Sequence, residues 1–202
     1  MNSLQNLLIA TNNKGKVAEI KALLNGLGLT LHTPAGLGLL LEIPEDGQTY
    51  AENASKKARV FARASGMISL ADDSGLEVDA LDGQPGLHSR RFSLLPDATD
   101  ADRRKYLLDK LQGFERPWTA RFRATVALAY PSGEVELATG QCEGEIIPEE
   151  RGTNGFGYDP IFFIPKLGRT MAELDMAEKN LLSHRAQAVS NAIPNIMKMF
   201  GI

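Results

Sequence analysis

Two adjacent carboxylates follow a short apolar run near the middle of the chain. Asp72 and Asp73 come directly after residues 67–71, and Ser74 and Gly75 follow them. Adjacent carboxylates at the end of a buried strand are unfavourable unless a cation or a basic side chain neutralises them. Gly75 permits a tight turn there, because glycine adopts conformations that other residues resist. The stretch predicts either a metal-binding, water-activating centre or a polar surface turn, since Asp, Ser and Gly are also common in turns.

A second polar segment, residues 11–16, lies between a predicted buried strand over residues 7–10 and a predicted amphipathic helix. A strand, a turn and a helix in this order present backbone N–H groups at a helix start, where anions bind well. The segment also supplies two lysines and three hydrogen-bonding side chains, which favours a phosphate site over an ordinary capping turn. It is not a Walker loop, because the second glycine and the Lys-Ser/Thr pair are missing. Its residues are Thr11, Asn12, Asn13, Lys14, Gly15 and Lys16.

Residues 152–159 form a glycine-rich segment with two aromatic side chains and an acid, Asp159. We expect a flexible loop that lays an aromatic ring against a flat ligand. The alternative is a glycine-rich turn in which a single Phe is buried.

The remaining pattern indicates how these groups are positioned. Helical signals cover residues 49–65, 97–111 and a final helix after Ser183, in which Pro194 should cause a kink or an interruption. Residues 121–130 and 134–141 are predicted to be neighbouring antiparallel strands, the first with alternating apolar and polar side chains. Antiparallel strands within an otherwise α/β order predict a mixed sheet. In α/β sheets the ends of such elements often converge on one cleft. Lysines, a helix start, paired carboxylates and a stacking aromatic together indicate a nucleotide polyphosphate with a divalent metal.

Composition narrows the class of protein. The chain has 202 residues, 43% of them hydrophobic, and a net charge of −3, which argues against a basic protein that coats nucleic acid. Cys142 is the only cysteine, so a cysteine-based zinc site is excluded and we interpret Cys142 as structural. The apolar runs are too short to cross a bilayer, and the N-terminal residues lack the basic segment of a signal peptide. We therefore expect a cytoplasmic protein without membrane contact.

Five motifs follow one another along the chain: Thr11-x-Asn13-x-x-Lys16, Glu52-Asn53-Ala54-x-x-Lys57-Ala58, Ala71-Asp72-Asp73-Ser74-Gly75-Leu76, Gly155-Phe156-Gly157-Tyr158-Asp159-Pro160 and Glu178-Lys179-x-x-x-Ser183-His184-Arg185. Together they resemble the inosine triphosphate pyrophosphatase-like family, and most of all its bacterial RdgB-type dITP/XTP pyrophosphatases. The match runs over residues 7–189. The departures, Tyr50, Arg90 and Pro194, do not touch the expected chemistry.

The resemblance implies Mg2+-dependent hydrolysis of a non-canonical purine nucleoside triphosphate (ITP, dITP or XTP) to the monophosphate and pyrophosphate. It implies an α/β fold, a two-lobed single domain over residues 1–202, with an elongated mixed β-sheet flanked by helices and an active-site cleft between the lobes. It also implies a homodimer.

Site residues follow from the resemblance by position. Asp73 is then the general base and a metal ligand, and Glu45 is a second metal ligand. Lys16 and Lys57 would neutralise charge that develops on the phosphates. The expected substrate contacts are Thr11, Asn12, Asn13, Lys14, Gly15, Lys16, Ser74, Phe156, Gly157, Tyr158, Asp159, Lys179, His184 and Arg185.

Base selection can be argued from donors and acceptors. Arg185 offers only donors and His184 can offer one, which suits the 6-oxo group of hypoxanthine or xanthine. The 6-amino group of adenine would leave those donors unpaired. Two alternatives stay open: a pyrophosphatase acting on canonical nucleotides, and a non-catalytic nucleotide-binding module.

Overall fold

The computed structural model of the chain describes residues 5–202. None of the helices in this range is long and apolar enough to cross a membrane. The strands are β1 (Asn6–Ile9), β2 (Thr30–His32), β3 (Ile68–Val78), β4 (Trp118–Ala129), β5 (Val135–Ile146), β6 (Phe162–Ile164) and β7 (Arg169–Thr170). The α-helices are α1 (Lys14–Leu23), α2 (Tyr50–Ser65), α3 (Asp100–Leu111), α4 (Met176–Leu182) and α5 (His184–Phe200).

Over the described residues, the strands form a seven-stranded sheet in the order β2-β1-β3-β4-β5-β6-β7. β1 pairs in parallel with both β2 and β3. β6 pairs antiparallel with both β5 and β7. The sheet is therefore mixed, which confirms the predicted α/β class.

The chain divides into two compact units. The first unit comprises the residues up to Asp73, Ala124–Gly140 and His184–Ile202. Its strand β1 is buried on both faces, because Leu7 packs into a cluster with α1 and α5 whereas Leu8 packs into a second cluster with α2. This alternation is what the continuous apolar run of β1 predicts for a strand that is covered on both sides.

The second unit comprises Ser74–Arg123 and Gln141–Ser183 and has a core of its own. Leu107 from α3 and Phe162 from β6 belong to that core. Cys142 is buried there too, and burial raises the pKa of its thiol to about 11. A thiol that stays protonated near neutral pH is a poor nucleophile, which agrees with the structural interpretation of Cys142.

The tight turn that Gly75 permits, the alternative interpretation of this stretch, is not formed. β3 runs without interruption from Ile68 to Val78, so Asp72 and Asp73 lie in the middle of an 11-residue strand and Gly75 lies within the strand. Pairing with the neighbouring strands keeps the chain extended through Gly75, and the local Asp-Ser-Gly composition does not reveal those distant partners. The two carboxylates nevertheless leave the strand in opposite directions, since successive side chains alternate between its faces.

One local expectation for the helices also needs correction. Pro194 does not interrupt the last helix, since α5 is continuous from His184 to Phe200. The helix over residues 49–65 is confirmed as α2.

Candidate active site

Asp72 lies between two cationic side chains of the first unit. Nζ of Lys16 is 3.1 Å from Oδ1 of Asp72, and Arg185 donates from Nε to Oδ2 at 3.0 Å. Arg185 also donates from Nη1 to Oε2 of Glu19 at 2.5 Å. The side chain of Asp72 is 0% exposed and that of Arg185 is 2% exposed, so a buried guanidinium joins two buried carboxylates. Lys16 and Arg185 therefore supply the positive charge that the adjacent buried carboxylates require.

These charges set the protonation states of the group. Burial alone would raise the pKa of Asp72, but Lys16 and Arg185 outweigh burial and hold that pKa below its usual range. Burial lowers the pKa of Lys16, and the positive charges of Arg185 and Lys57 add to this effect, although Asp72 opposes it. An anion placed beside Lys16 would stabilise its charged form, so Lys16 is suited to receive a phosphate oxygen.

Lys57 of α2 connects the second carboxylate of the pair to the loop before the helix. Its Nζ donates to Oε1 of Glu45 at 2.9 Å, to the backbone oxygen of Asp72 at 2.8 Å and to Oδ1 of Asp73 at 3.3 Å. Burial would lower the pKa of Lys57, but the carboxylates of Asp73, Asp72 and Glu45 outweigh burial and raise it. Lys57 therefore stays charged between the two predicted metal ligands.

Asn53 holds Asp73 from the other side, a role that the sequence analysis missed. It donates from Nδ2 to Oδ2 of Asp73 at 3.0 Å, and its Oδ1 accepts from the backbone of Gly47 at 2.8 Å. A Cβ at Gly47 would lie 2.7 Å from that Oδ1, so glycine permits the close approach. Asn53 thereby links Asp73 to the loop that carries Glu45. A buried amide in an amphipathic helix was the available signal, since such a group needs partners.

Burial raises the pKa of Asp73, and the charge of Glu45 adds to the effect, while Lys57 and Lys16 oppose it. A carboxylate with a raised pKa has a higher affinity for a proton. This property suits the predicted role of Asp73 as a general base.

Residues 11–16 cover the turn before α1, its N-cap and its first three residues. Asn13 is the N-cap, because its Oδ1 accepts from the backbone N–H of Lys16 at 3.1 Å, and Oγ1 of Thr11 accepts from the N–H of Asn13 at 3.2 Å. The first turn has no acidic residue, so the positive end of the helix dipole is not neutralised from within α1. The capping turn and the phosphate site are therefore compatible, and the phosphate contact stays a prediction.

His184 and Arg185 begin α5, which packs closely on β5. A Cβ at Gly140 would lie 2.3 Å from the backbone oxygen of His184 and 2.4 Å from the backbone nitrogen of Ala188, so this approach requires glycine. His184 is 5% exposed. The contacts of Arg185 with Asp72 and Glu19 give it a role that the sequence did not predict, and the contacts of His184 and Arg185 with a base stay predictions.

The second unit holds the glycine-rich segment in a defined conformation. Oδ2 of Asp159 accepts from Nζ of Lys179 at 2.6 Å and from the backbone of Phe156 at 3.0 Å. Nζ of Lys179 also lies 5.2 Å from the centre of the Phe156 ring, within the range of a cation–π interaction. Gly155 has a φ of +76°, and a Cβ there would lie 2.1 Å from Oδ2 of Asp159. The expected flexible loop is thus tied down by a buried ion pair.

The two aromatic side chains of this segment differ. Tyr158 is 4% exposed, and its hydroxyl donates to the backbone oxygen of Ser89 at 2.8 Å. Oγ of Ser89 in turn accepts from the backbone of Leu76 at 2.8 Å. Phe156 is only partly buried, so it is the better placed of the two rings to contact a ligand. Ser74, a further predicted contact, is partly buried within β3.

The carboxylates of Asp73 and Glu45 fit a shared magnesium site. Both offer hard oxygen ligands and both lie within 3.3 Å of the Lys57 ammonium. In residues 5–202 no group of three or more His, Cys, Asp or Glu side chains is placed to hold a metal. Mg2+ at nucleotide sites is commonly held by one or two carboxylates together with substrate phosphates and water, so two ligands are sufficient.

A surface groove of about 480 Å3 runs along α2 in the first unit. Its lining contains none of the predicted site residues. We give it no role in the chemistry, because the carboxylates and ammonium groups that the motifs single out lie around Asp72 and Asp73. The lining residues are Ala51, Glu52, Ser55, Lys56, Arg59, Val60, Arg63 and Leu137.

Comparison with known proteins agrees with the motifs. The chain is 46% identical to a dITP/XTP pyrophosphatase of Desulforamulus reducens over 195 residues, which covers 96% of each chain. It is 47% identical to a dITP/XTP pyrophosphatase of Geobacter sulfurreducens over 186 residues, covering 91% of this chain and 92% of that protein. The solved structure of a HAM1 protein from Coxiella burnetii superimposes with a TM-score of 0.87 at 38% identity, covering 96% of this chain and all of that one. Since the model of the Ham1 family also matches residues 7–195, the chain belongs to the Ham1 family.

Proposed function

We propose that this protein is a nucleoside-triphosphate pyrophosphatase that hydrolyses dITP, ITP and XTP to the nucleoside monophosphate and pyrophosphate. Membership of the Ham1 family and the names of the relatives support this activity. The structural observation that carries the proposal is the pair of ammonium groups on adjacent carboxylates. Nζ of Lys16 lies 3.1 Å from Asp72, and Nζ of Lys57 lies 3.3 Å from Asp73.

In the proposed step, a water oxygen forms a bond to the α-phosphorus, and the bond from that phosphorus to the bridging oxygen breaks. Pyrophosphate leaves with the electron pair of the broken bond. The carboxylate of Asp73 accepts the proton of the attacking water, while Asn53 fixes the orientation of that carboxylate. Lys16 and Lys57 neutralise the negative charge that develops on the phosphate oxygens.

We propose that Asp73 and Glu45 hold Mg2+ together with the substrate. Bound there, the cation would supply Lewis-acid polarisation of the phosphate and of the attacking water. Lys57, which lies between the two carboxylates, would keep them close together before the cation binds. Removal of divalent cations with a chelator should abolish pyrophosphate release, and addition of Mg2+ should restore it.

The triphosphate and the base make different demands on the protein. Residues Thr11 to Lys16 supply a helix start and two lysines for the phosphates. We assign the base to donors from His184 and Arg185, and to the ring of Phe156 with its neighbours Gly157, Tyr158, Asp159 and Lys179. Ser74 is a further proposed contact. A ring face and a set of donors would select a purine with a 6-oxo group.

The decisive experiment measures pyrophosphate release from dITP, ITP, XTP, ATP and GTP side by side, with Mg2+ and with a chelator. We expect fast release from the first three substrates only, and only with the metal. Equal rates on ATP and GTP would favour the alternative of a broad-specificity pyrophosphatase. Binding without release of pyrophosphate would favour a non-catalytic nucleotide-binding module.

The proposal extends to assembly and location. We infer that the protein is a homodimer that acts on the nucleotide pool of the cytoplasm, without nucleic acid or a membrane as partner. Light scattering on the purified chain should give twice the monomer mass of 21.9 kDa. A monomer mass at micromolar concentration would contradict the dimer.

A further inference from the structure

The backbone of Gly157 is held from both sides by the first turns of α3. Its N–H donates to Oδ2 of Asp100 at 2.8 Å, and its carbonyl oxygen accepts from Nη1 of Arg104 at 2.8 Å. Asp100 and Arg104 are four positions apart in α3, so both side chains leave the same face of the helix. Gly157 is one residue beyond Phe156, yet Asp100 and Arg104 lie 57 and 53 positions earlier in the chain.

Asp100 and Arg104 together form a clamp on the backbone of Gly157, and each of these two side chains is itself held by a further ion pair. Arg104 forms a two-pronged pair with Glu150, in which Nε lies 2.8 Å from Oε1 and Nη2 lies 2.9 Å from Oε2. Asp100 also accepts from Nη2 of Arg103 at 2.5 Å. Charge-assisted and bidentate hydrogen bonds restrict geometry more tightly than single neutral ones. The clamp therefore holds Gly157 in one place.

The position of Gly157 determines where the Phe156 ring can lie. The backbone N–H of Phe156 is bound to Asp159, and the next peptide is bound to α3 through Gly157. Gly157 has a φ of +63°, a conformation that side-chain-bearing residues rarely adopt. With both flanking peptides fixed, the Cα–Cβ direction of Phe156 is fixed too, although neither Asp100 nor Arg104 needs to touch the ring.

We infer that Asp100 and Arg104 are positioning residues for base recognition. They hold the Gly157 peptide so that the Phe156 ring presents its face to a flat heterocycle. The inference rests on the proposed function and goes beyond it, because it names residues outside every motif of the resemblance. Since the clamp acts on base binding and not on the phosphates, it sets KM and leaves kcat nearly unchanged.

The test compares Asp100→Ala with Asp102→Ala in the full-length protein. Both variants remove an acid from the first turn of α3, but Asp102 accepts from Thr99 as part of the helix cap. We expect Asp100→Ala to raise KM for dITP about tenfold, the equivalent of one lost charge-assisted hydrogen bond, with kcat changed less than about twofold. Asp102→Ala should leave KM unchanged even where it lowers the melting temperature as much.

Conservative variants and a second measurement complete the design. Asp100→Asn retains an acceptor oxygen, so its KM should lie close to the wild-type value. Arg104→Lys should have a raised KM, because lysine cannot form the bidentate pair that arginine forms. Amide hydrogen exchange at Gly157 should speed up in Asp100→Ala and not in Asp102→Ala.

The outcomes separate the inference from the proposed function. Wild-type protein that neither binds nor hydrolyses dITP, ITP or XTP overturns the proposed function and the inference with it. Active wild-type protein combined with an unchanged KM in Asp100→Ala overturns the inference alone. A fall in kcat as large as the rise in KM, or an equal change in Asp102→Ala, also overturns it.

Discussion

Arg185 and Asp72 lie 113 positions apart in the chain and form a buried ion pair, in which Nε of Arg185 is 3.0 Å from Oδ2 of Asp72. The guanidinium also binds Glu19, so removal of Arg185 leaves two buried carboxylates with one cation fewer. An uncompensated buried charge is among the most destabilising changes that a substitution can produce.

We expect Arg185→Ala to lower the free energy of unfolding by about 3–5 kcal/mol. Chemical denaturation followed by circular dichroism measures this. The matched control is Arg123→Ala, which removes a surface pair with Glu77 in which the Arg123 side chain is 44% exposed, and which should cost about 1 kcal/mol or less. Equal losses in the two variants would contradict the structural role of Arg185.

Asp73→Asn should abolish hydrolysis while the fold is retained. The amide has nearly the same shape as the carboxylate, but it cannot accept the proton of the attacking water. We expect a loss in kcat of at least about 100-fold, the usual contribution of a general base. Steady-state pyrophosphate release measures the rate, and calorimetric titration with dITP tests whether the nucleotide still binds. Full activity in this variant would remove Asp73 from the chemistry.

Asn53→Ala should reduce kcat by roughly tenfold, because the Asp73 carboxylate and the Gly47 backbone lose a shared partner. Arg59→Ala is the control on the same helix, since the exposed Arg59 side chain donates to the backbone oxygen of Gly133, far in sequence from the loop that carries Glu45. Apparent Mg2+ affinity should weaken only in the Asn53 variant, if Asn53 fixes the loop that carries Glu45. An Asn53→Ala enzyme with wild-type kcat and Mg2+ dependence would show that Asn53 only contributes to packing.

Stability should depend on pH through Asp72. Its pKa in the folded protein is lowered, so the folded state binds this proton less readily than the unfolded chain does. The resulting stabilisation is fully present above the unfolded pKa of about 4 and is lost as pH falls from there towards the folded pKa. Denaturant unfolding at pH 7, 5, 4 and 3 should therefore show a steeper loss for the wild type than for Asp72→Asn. Parallel curves for the two proteins would contradict this assignment.

Local sequence was sufficient for much of the fold. The apolar run of β1 and the amphipathic pattern of α2 each depend on residues within a few positions of one another, and each appears as predicted. The local sequence at Gly75 does not indicate the observed structure, because an Asp-Ser-Gly sequence that suits a turn lies inside β3. Strand pairing with distant segments outweighs that turn preference.

The sequence by itself determined which chemical groups are available: two lysines, adjacent aspartates and an aromatic in a glycine-rich segment. The tertiary structure alone decided how those groups are paired. Glu19 reaches Arg185 across 166 positions, and Asp100 reaches Gly157 across 57, and neither contact is visible in any local pattern. The physical reason is that a buried charge or peptide needs a partner, while the sequence does not state which distant segment the folded sheet brings beside it.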